Sequence, residues 1–241
     1  MSGWAAKRFW TEARVASATG GYGVELDGRT VRTPAKAALI VPTRALAQGI
    51  AAEWAAQEGL IAPATMPLTR AANVTIDRVA QERDAVAAML ADYGGSDLLC
   101  YRAEAPEALI ARQAAAWDPL LDWAESVFSV RLRRTGGVMP VQQDAATLDR
   151  LRAEIDLLDN WALTAFHDLV CLSGSLIIGL AALRGQARAE RLWEISRIDE
   201  TWQEEQWGKD EEALATAAKK QNDFLQAMRF HDLSRPAADG G

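Results

Sequence analysis

RFWTEARVASATGGYGVELDGRTVRTPAKAALIVP, residues 8–42, consists of short apolar or β-branched runs separated by glycine-containing pairs. Gly20-Gly21 and Asp27-Gly28 stand at the positions where tight turns connect neighbouring strands. No helical period runs through the segment. The stretch therefore predicts a small antiparallel sheet at the N-terminus.

The hydrophobic period changes at Thr43, a residue type that commonly caps the N-terminus of a helix. Leu46, Ile50 and Trp54 then recur every fourth residue, which is the spacing of one face of an α-helix. This pattern indicates that Trp54 belongs to the core, and Gly59 ends the helix.

A helical pattern dominates after Pro67. An apolar stripe runs from Ala72 to Tyr93, and Asp118-Pro119 predicts a kink or the start of a new helix. Further helices are predicted over residues 144–157, 160–184, 187–207 and 209–230. The fold class is thus α+β, with a small N-terminal mixed domain containing antiparallel strands and a larger C-terminal all-α helical bundle. The predicted limits are residues 1–75 and 76–235, followed by a disordered tail, residues 236–241.

The net charge, the cysteine spacing and the length of the apolar runs exclude several functional classes. The chain of 241 residues has a net charge of −7, and residues 198–212 hold seven carboxylates against one lysine. Such an acidic chain is not expected to bind nucleic acid. Cys100 and Cys171 lack the spacing of a disulfide scaffold or thiolate metal site, which fits a reducing compartment. The most apolar run, residues 169–183, is too short to insert into a membrane and predicts a buried helix.

The usual signals of catalysis are missing from the sequence. The segment GGYG is neither a dinucleotide-binding nor a phosphate-binding loop, and CLSGS lacks the spacing of a nucleophile elbow. His167 is expected to be a core or boundary histidine, and His231 is expected to be solvated. An enzyme is therefore not the leading interpretation of these residues, and no catalytic residue or metal ligand is assigned.

The segment RIDETWQEEQWGKDEEA, residues 197–213, places two tryptophans among seven carboxylates. Three interpretations are open: a solvated helix with an ordinary core stripe, a metal or catalytic carboxylate site, and a docking face for another protein. Glu200 and Glu204 could in principle hold a hard cation, but neither histidine completes such a motif.

A helical wheel of this region separates the two tryptophans. Trp202 falls on the core stripe with Ile195 and Ile198. Trp207 falls on the opposite side, and with it lie Trp193, Glu200, Glu204 and Glu211. This grouping requires a helix that continues through Gly208, which could equally end it. A tryptophan among carboxylates on a non-core face is typical of an interface anchor with a charged rim.

The chain resembles the family of assembly chaperones for the catalytic head of F-type ATP synthase, specifically the factor that handles the ATPase alpha subunit. The resemblance covers about Arg8 to Gln221. It rests on seven motifs in the order and approximate spacing of the family: RFW, LDGRTVRTP, VPTRALAQGIAAEWAAQ, MPLT, DLLCYR, RQAAAWDPLLDWAE and RIDETWQEEQWGKDE.

The resemblance implies an ATP-independent chaperone that is not an enzyme and uses no cofactor. Its expected partner is the unassembled alpha subunit, which it would bind and keep from aggregating until the ring forms with the beta subunit. Exposed apolar subunit interfaces are prone to aggregation before they are paired. The family's fold, a small mixed domain followed by a helical bundle, agrees with the pattern of residues.

The resemblance also carries a binding surface onto this chain. The acidic motif of the family maps onto Glu200, Gln203, Trp207, Gly208 and Glu211, and the helical wheel adds Trp193 and Glu204 as partner-binding candidates. The family commonly has a His-Asp pair shortly after this motif, where Leu214 and Ala215 stand here. This difference bears on whether the surface binds its partner in the same way as in the family.

Two rival functions remain at this point: a metal-dependent hydrolase that uses the carboxylates of residues 199–212, and a structural adaptor with another partner. The family occurs in mitochondria and alphaproteobacteria. Because the chain begins almost directly at the RFW motif, we predict a bacterial cytoplasmic protein, or a mitochondrial matrix protein if it is a trimmed eukaryotic form. The sequence does not determine the oligomeric state.

Overall fold

The structure is a computed structural model that describes residues 7–208 and 210–236. The chain divides into two compact units. The first contains the described residues up to Arg83, with Asn160–Ala165 and those from Arg229 onward. The second contains Asp84–Asp159 and Phe166–Met228. The domain limits drawn from the sequence stay a prediction, and from residue 237 the predicted tail lies outside the described residues.

The predicted antiparallel sheet forms in the first unit. β1 (Ala13–Ala18) and β2 (Gly21–Leu26) make a hairpin, and β3 (Arg29–Thr30) and β4 (Ile40–Val41) both pair antiparallel with β2. Asp27 and Gly28, with φ of 47° and 80°, form the turn that follows β2. At Gly21 a Cβ would lie 2.2 Å from the Val41 carbonyl oxygen, so glycine is needed where β4 approaches.

Helix α1 (Arg44–Ala55) packs on this sheet. The Thr43 hydroxyl oxygen accepts a hydrogen bond from the Leu46 amide at 3.1 Å, so Thr43 is the N-cap as predicted. Leu46 and Ile50 are fully buried in the core cluster. Trp54 is only partly buried, and its ring meets the buried Trp10 ring edge-on at 5.2 Å.

The apolar stripe predicted from Ala72 to Tyr93 is not one regular helix. It is divided into α2 (Pro67–Val74), a π-helical turn over Thr75–Val79, and α3 (Arg83–Asp92). In the π-helical turn each hydrogen bond spans five residues instead of four, so the side chains that follow are shifted by one position around the helix. The apolar residues can therefore form one stripe although the helix itself is interrupted.

The second unit is mainly helical. β5 (Tyr101–Arg102) pairs with β6 (Thr135–Gly136) in a short parallel ladder that the sequence does not signal. In sequence, α4 lies between these two strands and runs over Glu107–Phe128 with Pro119 inside it. No new helix starts at Asp118-Pro119, and the alternative, a kink at Pro119, stays a prediction. The Asp118 carboxylate instead pairs with Arg102 at 2.7 Å and Arg134 at 2.8 Å.

The remaining helices correct two further predictions. Residues 160–184 form two helices, α6 (Asn160–Ser173) and α7 (Leu176–Leu183), which follow α5 (Ala145–Asp156). Gly174, with φ of 73°, ends α6, and the Ser175 hydroxyl caps α7 by accepting from the Ile178 amide at 3.0 Å. The predicted helix 187–207 also divides, into α8 (Ala189–Ser196) and α9 (Ile198–Trp207).

Helix α10 (Glu211–Ser234) is longer than predicted, and this changes the setting of His231. His231 lies inside the helix with 6% of its surface exposed, so the prediction of a solvated histidine is wrong. The α+β fold class is confirmed, since antiparallel strands lie in the N-terminal region and a larger helical part follows. Within the described ranges, no helix is both long and apolar enough to cross a membrane.

Candidate functional site

The candidate surface lies where α9 ends and α10 begins, in the second unit. Gly208 closes α9 with φ of 93° and ψ of 171°, a conformation that side-chain-bearing residues rarely adopt. Asp210 starts α10, because its carboxylate accepts hydrogen bonds from the amides of Glu212 at 2.8 Å and Ala213 at 3.3 Å. A glycine in this conformation thus ends α9, and a capping aspartate begins α10.

Trp207 stands at the end of α9 with 79% of its surface exposed. Around it in sequence, Gln203, Gly208 and Glu211 are also exposed, and Glu204 is half-buried. We call Gln203, Glu204, Trp207, Gly208 and Glu211 the acidic Trp207 surface. The surface combines one large apolar side chain with carboxylates, as at an interface anchor with a polar rim.

Trp193 does not share this surface, so the helical-wheel grouping of Trp193 with Trp207 is wrong. Trp193 is only 5% exposed, and its ring packs against Phe224 at 5.8 Å. The guanidinium of Arg197 lies 5.8 Å from the same ring. The reason is a break at Arg197, whose φ of −111° and ψ of 18° separate α8 from α9. The two helices therefore do not share the single helical period that the wheel assumed.

Arg112 on α4 holds the middle of α9. Its guanidinium binds both carboxylate oxygens of Glu205, at 2.8 and 2.9 Å, and lies 5.7 Å from the Trp202 ring. The hydrogen bond from Arg112 holds the pKa of Glu205 below its ordinary value. Trp202 is therefore half-buried under Arg112 rather than enclosed by the core stripe that the sequence predicted.

The start of α9 is held by two more polar contacts. The Gln113 amide donates to Asp199 at 2.6 Å, and Arg197 pairs with Glu200 at 2.5 Å. Glu200, a predicted partner-binding residue, thus already forms an ion pair with a residue of the same unit. Four of the seven carboxylates, Asp199, Glu200, Glu205 and Asp210, form contacts that shape the two helices.

Glu211 and Glu212 lie exposed in the first turn of α10, where negative charge complements the helix dipole. Next to them is an open depression of about 390 Å3, lined by Arg197, Asp210, Glu212, Ala213, Thr216, Ala217 and Lys220. Its lining includes two basic and two acidic side chains, and the depression is not enclosed, unlike a small-molecule site. In the part of the chain that the structure describes, no group of three or more His, Cys, Asp or Glu side chains could hold a metal ion.

Sequence reasoning missed the basic residues that support the surface. Arg197 and Glu200 are three residues apart on neighbouring turns, a spacing that could have revealed their pairing. Arg112 and Glu205 are 93 positions apart, so no local pattern connects them.

Comparison with known proteins identifies the family. The ATP12 chaperone protein family matches residues 7–125. Atp12 from Paracoccus denitrificans is 53% identical and superposes with a TM-score of 0.92, covering 95% of this chain and 99% of that one. A protein from Agrobacterium tumefaciens is 39% identical, with a TM-score of 0.91 over 95% of this chain and 86% of that one.

A curated relative is more distant. The mitochondrial protein atp12 of Schizosaccharomyces pombe is 26% identical over 222 residues, which cover 86% of this chain and 75% of that protein. These relationships favour neither the metal-dependent hydrolase nor the adaptor with another partner. The predicted membership is confirmed: the chain belongs to the ATP12 chaperone family of F1-ATPase assembly factors.

Proposed function

We propose that this chain binds the unassembled alpha subunit of F1-ATPase through the acidic Trp207 surface and keeps it from aggregating. The observation that carries the proposal is the exposure of Trp207, 79%, on a member of the ATP12 chaperone family. An indole left in water forgoes a stabilisation of about 1.5–3 kcal/mol that burial would supply. A partner that covers Trp207 would recover that free energy.

The helix ends around Trp207 suit a preorganised binding site. Arg112 and Arg197 fix α9 through Glu205 and Glu200, and Asp210 caps α10. A surface held in this way loses little conformational entropy when a partner docks. The half-buried Glu204 and the exposed Glu211 would place negative charge around the indole, which favours a client surface of basic character.

The proposed activity is binding alone, without catalysis, nucleotide or other cofactor. A chaperone of this kind must compete with aggregation of its client and yet give way to the final partner, here the beta subunit. Such a function places the chain where F1 is assembled, which is the bacterial cytoplasm or the mitochondrial matrix.

The test is aggregation of isolated alpha subunit, followed by light scattering in the absence of nucleotide. We expect an equimolar amount of the chain to suppress the rise in scattering, and an unrelated protein of similar net charge to leave it unchanged. Scattering that rises equally with and without the chain, together with no complex on size-exclusion chromatography, would refute the proposed function.

A further inference from the structure

Three polar side chains cluster with Cys171 in the second unit, and none of these four residues belongs to the acidic Trp207 surface. His167, Asp168 and Cys171 lie on α6, and Tyr93 reaches them from the 3-10 turn Tyr93–Gly95. His167 Nε2 lies 3.8 Å from Cys171 Sγ, and the Tyr93 hydroxyl donates to the same sulfur at 3.6 Å. His167 Nδ1 lies 2.9 Å from the Asp168 carboxylate.

The geometry assigns a role to each neighbour of the sulfur. The Asp168 carboxylate accepts a hydrogen bond from Nδ1 and so directs Nε2 at Cys171. A protonated imidazole then places a positive N–H against the sulfur, and Tyr93 adds a second donor from another element. Two donors aimed at one sulfur favour the thiolate over the thiol.

The same hydrogen bonds shift the pKa values of His167, Cys171 and Tyr93. The hydrogen bond to Asp168, followed by the one to Cys171, raises the pKa of His167 to about 10. The hydrogen bond from His167 lowers the pKa of Cys171, with a further contribution from Tyr93. The hydrogen bond to Cys171 in turn raises the pKa of Tyr93.

The second cysteine of the chain has the opposite setting. Cys171 is exposed, whereas Cys100 is fully buried. Burial raises the pKa of Cys100 to about 12. One chain therefore holds an accessible sulfur with two aligned donors and an inaccessible sulfur without that arrangement, which provides an internal control.

We propose that Cys171 is a modification site at which the thiolate reacts with small hydroperoxides to give a sulfenic acid. The sulfur attacks the outer oxygen of the peroxide, an S–O bond forms and the O–O bond breaks. The sulfur loses two electrons and the peroxide gains them. The departing hydroxide or alkoxide takes the proton from His167 Nε2 and leaves as water or alcohol. Cys171 becomes the sulfenic acid, and His167 is left neutral.

The first test measures alkylation of both cysteines by iodoacetamide across a range of pH, with mass spectrometry to separate the sites. We expect the rate at Cys171 to reach half its maximum at a lower pH than glutathione does in the same buffers. Cys100 should remain unmodified until the chain is unfolded in denaturant. A half-maximal pH for Cys171 equal to or above that of glutathione would overturn the proposal, and this result needs no variant.

The second test uses His167→Asn and Tyr93→Phe, with far-UV circular dichroism as the check of folding. His167→Asn removes the charged donor and should shift the half-maximal pH upward, slowing alkylation at about pH 6.5 on the order of fivefold. Tyr93→Phe should shift the half-maximal pH in the same direction by less. An unchanged profile in folded His167→Asn protein would show that His167 does not activate the sulfur.

The third test adds hydrogen peroxide to the intact chain and traps sulfenic acid with dimedone. We expect the adduct on Cys171 in the wild-type chain, several-fold less of it in His167→Asn, and none in Cys171→Ser. Labelling that is equal in the wild type and His167→Asn, or absent from the wild type, would refute the modification site. No client is present, so the outcome is independent of the proposed chaperone function.

Discussion

Trp193 and Trp207 belong to the same short region of sequence and have opposite surroundings. Trp193 is 5% exposed and packs on Phe224, whereas Trp207 is 79% exposed at a helix end. The helices differ in the same way: α8 buries Leu192, Trp193, Ile195 and Ser196, and α9 buries only Ile198. The difference teaches that α8 stabilises the second unit, while the end of α9 leaves a large apolar side chain exposed to solvent.

Trp193→Ala is expected to have the largest effect on stability. Removing this buried ring leaves a cavity beside Phe224, which should lower the free energy of unfolding by about 3–5 kcal/mol. Urea denaturation followed by far-UV circular dichroism measures it. A loss below about 1 kcal/mol would contradict the assignment of Trp193 to the core.

Trp207→Ala should have the opposite profile. We expect stability to change by less than about 0.5 kcal/mol, because little of the indole is buried. Binding to the alpha subunit, measured by isothermal titration calorimetry, should weaken by about 30-fold, or roughly 2 kcal/mol.

Leu157→Ala is the matched control for Trp207→Ala. Leu157 is an apolar residue of the same unit with 76% of its surface exposed, and it lies outside the acidic Trp207 surface. This variant should leave both stability and binding unchanged. Equal weakening of binding in the two variants would remove the special role of Trp207.

The sequence predicts the buried residues of the core better than the exposed residues around Trp207. Leu46 and Ile50 follow a local helical period that burial in the core enforces, and Thr43 caps the helix as its residue type indicates. The grouping of Trp193 with Trp207 on one face of a continuous helix was wrong, because the backbone angles at Arg197 break the helix there. An arginine there gives no local stop signal, whereas Gly208 does.

Long-range contacts account for the other failures. Asp118-Pro119 has the composition of a helix start, yet Asp118 serves as the partner of Arg102 and Arg134 inside a continuous α4. His231 lies close to the C-terminus in sequence but is only 6% exposed inside α10, which extends to Ser234. The location of a side chain in such cases is determined by distant parts of the chain that no local pattern describes.

Asp97 and Glu211 give a comparison of two carboxylates. Asp97 is fully buried and accepts hydrogen bonds from the Ser175 hydroxyl and the amides of Leu99 and Ile177. Asp97→Asn replaces one acceptor oxygen with a donor, so it should cost about 1–2 kcal/mol of stability at neutral pH.

The effect of Asp97→Asn should also depend on pH. Burial raises the pKa of Asp97 to about 6 from 3.8, so between these values the folded chain holds the proton more tightly than the unfolded chain. The contribution of Asp97 to stability therefore falls as pH rises through that window. Urea titrations at about pH 4.5 and about pH 7.5 should show a larger loss in the variant at the lower pH. A larger loss of stability at the higher pH would contradict the raised pKa of Asp97.

Glu211→Lys should give the smallest effect. Glu211 is exposed, so reversing its charge should barely change stability, while client binding weakens a few-fold and the difference shrinks as salt is added. Glu58→Lys, at an exposed carboxylate of the first unit, is the control. Equal weakening of client binding by both variants would indicate a general charge effect and not a role of the acidic Trp207 surface.

The most direct test of the central claim is hydrogen–deuterium exchange of the chain with and without the alpha subunit. We predict that a stable complex forms and that amide exchange slows in peptides covering α9 and the first turns of α10, while exchange in α5, next to Leu157, stays unchanged. A complex that leaves exchange in α9 and α10 unaltered and slows it elsewhere, or the absence of any complex, would contradict the account.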